Sequence, residues 1–142
     1  MDRLRRLARL PAPERGALLS AVAWCCAASL VLKLLPFRRV ADRLGRHMAE
    51  SAAEPDPARR TEVRRIGWAV ATAARHLPWK PVCLPQAVAA QWMLRRIGIP
   101  STLYLGIDPN GNYDAHAWVR AGAEIVTGGP SIQRYAVVST FA

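Results

Sequence analysis

The apolar residues change their period at Gly98–Pro100, and that switch limits the fold class. Up to Arg96 they recur three and four apart, the spacing of a helical face. From Ser101 they alternate, the spacing of a half-buried strand. Helices first and antiparallel strands second predict an α+β arrangement.

Proline punctuates the helical half. Residues 14–35 read as a long apolar helix between Pro13 and Pro36, and residues 37–50 carry Phe37, Val40, Leu44 and Met48 at helical spacing. Pro55 and Pro57 make 51–60 a loop. A helix with Val63, Ile66, Val70, Ala73 and Leu77 on one stripe follows, stopped by Pro78. The next begins at Cys83, with Pro85 in its first turn, Arg95 and Arg96 in its last, and Gly98 as its cap. Beyond it, 101–108, 115–121 and 123–129 read as strands of a meander, the first two joined by the turn residues Asp108, Asn110, Gly111 and Asn112.

Twenty basic against ten acidic residues leave a formal net charge of +10, which favours anionic partners. The basic residues are nearly all arginine, scattered through both halves and not interleaved with aromatics on one face, which argues against nucleic acid. Gly16–Leu32 is uncharged, at the lower limit for a membrane span. Its alanines and serines fit a buried helix better than a span, and peripheral membrane contact is a third, less favoured reading. No small-residue cleavage site follows it, so it does not read as a signal peptide. The odd set Cys25, Cys26 and Cys83 suggests neither a disulfide framework nor a zinc site, and points to a reducing cytoplasm. Without histidine clusters or a phosphate-cradling glycine loop, no metal and no cofactor are expected.

Chemistry centres on Cys83. At a helix start, unpaired N–H groups and the positive end of the dipole favour a thiolate and can receive an oxyanion. The base such a cysteine needs is best supplied by His116, which sits in the strand "AHAWVRA". His47, in an arginine-rich helix, and His76, at a helix end, read as surface or capping residues. A packed thiol with an unrelated histidine is the other reading of these two residue types.

"CLPQAVAAQWMLRRIGIPSTLYLGI", "DAHAWVRAG" and "VTGGPSIQRYAVVSTF", with "LKLLPFRRVADRLG" upstream, resemble the lasso-peptide biosynthesis B2 proteins. These are leader peptidases of the transglutaminase-like cysteine protease superfamily. The resemblance implies a helical preface over 1–58, packed on a transglutaminase-like, papain-like core over 59–142, as one compact domain. The nucleophile would stand at a helix N-terminus packed on a small antiparallel sheet. It also implies a stand-alone peptidase that frees the leader from a lasso precursor presented by a separate B1 recognition protein. A lasso cyclase, the user of any ATP, would act afterwards.

Under that resemblance Cys83 is the nucleophile and His116 its general base and later acid. An acid expected on the following strand is missing, because the stretch reads "VTGGP". Glu124, Asp114, the Thr127 hydroxyl or a backbone carbonyl could orient the imidazole instead, and Gln86 could support the oxyanion. Trp118 and Tyr113 read as core or cleft-wall residues. Two other functions compete: an acyl transferase with the same Cys–His chemistry, and a non-enzymatic basic binding protein.

Overall fold

Proline sets the breaks between helices. In the computed structural model, which describes residues 1–142, α1 spans Asp2–Arg9 and α2 spans Ala12–Leu34, with Pro11 at its N-cap. Pro36 caps α3, Phe37–Ala41. The longer α4, Arg60–His76, follows the proline-bearing loop, and α5 spans Cys83–Arg96.

Helix α5 is the central element. It buries Ala87, Val88, Ala89, Ala90, Gln91, Met93 and Leu94, which leaves it little solvent face. Helices α2 and α4 and three strands of the sheet all pack on it. The core joins Ala21, Cys25 and Ala28 of α2, the stripe Val63–Ile66–Val70–Ala73 of α4, and Leu103, Ala117 and Val119 of the sheet. Full burial of a side chain such as Leu44, Leu94 or Leu103 contributes about 1.5–3 kcal/mol.

The sheet is antiparallel throughout, in the order β3-β2-β1-β4, with β1 Thr102–Ile107, β2 Ala115–Ala121, β3 Glu124–Thr127 and β4 Ala136–Phe141. Together with the five helices this is the α+β arrangement the period switch predicts. Alternation along β2 turns Ala117, Val119 and Ala121 to the helices and His116, Trp118 and Arg120 to the other face. That second face is aromatic: Tyr104 stacks on Trp118 with centroids 5.3 Å apart and planes 6° from parallel. Arg120 closes its far end, donating to the carbonyls of Ser51, Ala52 and Gly122 and to the Tyr104 hydroxyl.

Three features depart from the sequence reading. Residues 37–50 do not form one helix: α3 stops at Ala41, and 46–48 pairs with the end of β4. The Arg46 N–H donates to the Ala142 carbonyl and the Met48 N–H to the Thr140 carbonyl, both at 2.7 Å. Gly45 makes the bend, with φ +108° and no room for a Cβ beside Ala142. Strand β4 itself is additional to the meander, pairing with β1 at the opposite edge from β3. Finally, α2 is a core helix on one stripe only; Leu19, Leu30 and Leu34 stand on solvent.

Candidate active site

Cys83 is the first residue of α5, and the extended backbone of Val82 ahead of it stops the helix from starting earlier. The helical ladder begins with the Gln86 N–H on the Val82 carbonyl, and Pro85 has no N–H. The N–H groups of Cys83 and Leu84 are therefore the ones the first turn leaves outside the ladder.

A cleft of about 460 Å³ opens beside the thiol. It is lined by Gly67 and Ala71 of α4, Cys83 and Gln86 of α5, His116 of β2, and Ile125–Gly129 at the end of β3. Cys83, from the start of α5, and His116, from the start of β2, both line this cleft, and no direct hydrogen bond joins thiol and imidazole.

His116 is held on three sides. Its Nε2 lies 2.6 Å from the Gly128 carbonyl oxygen. A carbonyl only accepts, so Nε2 carries the hydrogen and Nδ1 of the neutral ring keeps a lone pair. Tyr135 stacks on the imidazole at 4.7 Å and Trp118 at 5.9 Å. Opposite His116 in the β1–β2 register stands Gly106, where a Cβ would come within 2.9 Å of the Trp118 ring and 3.0 Å of Tyr135. Absence of a side chain there lets the aromatic cluster close over the strand.

Gly128 is itself confined. Its φ is +85°, and an added Cβ would lie 2.5 Å from Trp118 Cβ and 2.7 Å from the Ala117 carbonyl. Only glycine places this carbonyl on the imidazole. The backbone alternative read from "VTGGP" is therefore the one that contacts His116.

The side-chain alternatives lie elsewhere. Glu124 binds Arg60 at 3.2 Å and Arg64 at 3.3 Å, drawn off by two guanidinium groups of α4. Asp114 is exposed in the turn before β2 and does not bond His116. Thr127 lines the cleft and is buried, but its hydroxyl has no partner and the imidazole takes the next residue's carbonyl. Gln86 also lines the cleft, yet its Nε2 donates 2.8 Å to the Pro81 carbonyl, bracing the loop that delivers Cys83.

Trp118 is a buried residue of the aromatic face. Tyr113 is neither core nor cleft wall: it and Asn112 both have left-handed backbone in the hairpin turn, and its ring is 71% exposed. The remaining histidines stay away from Cys83. Exposed His76 bonds the Thr72 carbonyl within its own helix, and His47 pairs with Ser139 and stacks on Phe141.

A residue read in the sequence only as part of a turn, and another not singled out, complete the support of His116. Asp108, buried in the β1–β2 turn, accepts from Arg134 Nε at 2.9 Å and Nη2 at 2.7 Å and from the Asn110 N–H. Those hydrogen bonds, Arg134 first, hold its carboxyl below the usual range. Arg134 also lies over the Tyr135 ring, 5.4 Å from its centroid. Asp108 thereby ties the hairpin to the residue stacked on the imidazole. A turn aspartate and an arginine 26 residues on give no sequence signal for such a pair.

Cys25 contrasts with Cys83. It is fully buried, and desolvation, with Cys26 beside it, pushes its thiol up to about 11. No group of histidine, cysteine and carboxylate side chains in the fold is arranged to hold a metal ion.

A family model described as the transglutaminase-like superfamily matches residues 31–140. No curated protein and no solved structure matches the chain.

Proposed function

Because the chain belongs to the transglutaminase-like superfamily, we propose that it is a cysteine peptidase which removes the leader from a ribosomally made lasso precursor. It acts on a peptide presented by a separate B1 recognition protein, before a lasso cyclase. One observation carries the reading: Cys83, at the start of α5, shares an open cleft with a histidine whose Nε2–H is fixed by the Gly128 carbonyl.

In this reading Nδ1 of His116 takes the Cys83 proton, and the thiolate attacks the scissile carbonyl carbon. The Gly128 carbonyl and the faces of Tyr135 and Trp118 hold the ring in place through the transfer. The Cys83 and Leu84 N–H groups receive the oxyanion. His116 then gives its proton to the leaving amine, and the C–N bond breaks to leave a thioester on Cys83. Water, deprotonated by the same imidazole, attacks the thioester and releases the acid and the free thiol. Three free cysteines support a reducing, cytoplasmic setting.

The test combines the protein, a lasso precursor and its B1 protein, with mass spectrometry of the products. Leader and core should appear as separate masses, the new carboxyl carrying one oxygen from labelled water. Cleavage by Cys83→Ala at the wild-type rate would refute the mechanism. A product joined to an added primary amine in place of water would assign the site to acyl transfer.

A further inference from the structure

Helix α2 has two unlike faces. Ala21, Cys25 and Ala28 pack inward, in the same core as Val70 and Val88. On the opposite side Leu19, Ala23, Leu30 and Leu34 fall on one stripe, and its leucines are 53%, 57% and 69% exposed. The stripe runs for about 22 Å of helix. Residues 16–32 carry no charge, and Arg15 and Lys33 bound them.

Basic residues gather at both ends of this helix. Before it, α1 carries Arg3, Arg5, Arg6 and Arg9 against the single acid Asp2, buries no residue and leaves Leu4 on solvent. Arg15 Nη1 donates to the Ala8 carbonyl at 3.4 Å, tying α1 to the start of α2. Beyond the helix, Arg38 and Arg39 are exposed on α3.

We propose that this face docks on an anionic lipid surface, with α2 lying in the plane of the interface. The leucine stripe enters the acyl boundary and the flanking arginines meet the headgroup phosphates. The helix is long and apolar enough to span a bilayer. Its inward stripe forbids that orientation, because withdrawing Ala21, Cys25 and Ala28 would strip the core of one wall. A second copy of the chain fits less well, since pairing two such faces would bring two sets of arginines together. Lipid phosphate supplies the opposite charge at both ends of the stripe.

Vesicle flotation with the full chain carrying Cys83→Ala tests this independently of peptidase activity. The probes are vesicles of phosphatidylcholine mixed with phosphatidylglycerol, and vesicles of phosphatidylcholine alone. The protein should float with the anionic vesicles and bind the neutral ones at least about tenfold more weakly, with binding also lost at high salt. A second variant, Leu30→Glu with Leu34→Glu, should lose anionic-vesicle binding at least tenfold; far-UV circular dichroism should match the parent, since both positions are exposed. Flotation of that variant as well as its parent would overturn the proposal. So would absence of vesicle binding alongside a dimer, or alongside a complex with the B1 protein, that the leucine substitutions disrupt.

Discussion

His116 donates its Nε2–H to the main-chain carbonyl of Gly128 over 2.6 Å, at the end of the strand next to its own. A backbone oxygen cannot be protonated near neutrality, so it fixes the tautomer without adding a titrating group. It stands where a third side chain would orient the ring.

Substituting Gly128 by alanine should therefore cost more activity than fold. The added methyl meets Trp118 and the Ala117 carbonyl, and the backbone leaves φ +85° to relieve it. A carbonyl displaced by about 1 Å lowers kcat/KM by about a hundredfold. Steady-state cleavage assays beside a thermal melt separate that loss from unfolding.

Glu124→Gln makes the opposite case. This carboxylate pairs with Arg60 and Arg64 at the surface of α4. Its loss should cost no more than about 1 kcal/mol of stability and leave kcat unchanged. A large drop in kcat would mean that Glu124, not Gly128, orients the histidine.

The sequence revealed the parts of this site that periodicity and helix-terminus chemistry control. The placement of Cys83 at a helix start follows from the apolar run after it and from Pro85, and His116 from the alternation of β2. Support for the imidazole was legible as a missing acid with a backbone carbonyl among four candidates, because residue type does not say which main-chain oxygen a ring will meet. Tyr135 reaches His116, and Arg134 reaches Asp108, through the pairing of β4 with β1, a long-range contact that local pattern does not encode. The break of 37–50 has the same origin, since the end of β4 captures its backbone.

The Asp108–Arg134 pair predicts an acid-side dependence. Asp108 is held below its ordinary carboxylate range, chiefly by Arg134, so the folded state prefers the ionised form. Its contribution is present above about pH 4, the unfolded range, and is lost as pH falls through the lowered folded value. The melting temperature of wild type should fall across that window more steeply than that of Asp108→Asn. Arg134→Ala should reduce kcat more than it changes KM, because it frees Tyr135 from above the imidazole.

Cys25 predicts an alkaline counterpart. With its thiol raised to about 11 by burial and by Cys26, its stabilising share is complete below its ordinary value of 9.0 and lost between there and about 11. Thermal melts over that range should decline less for Cys25→Ala than for wild type.

Site-resolved alkylation of the three cysteines tests the pairing of Cys83 with His116 most directly. With iodoacetamide at neutral pH and peptide mapping over time, Cys83 should be modified at least about tenfold faster than Cys25 or Cys26, and His116→Ala should erase that preference. Equal, slow modification of all three, or a fast Cys83 indifferent to His116, would contradict the account.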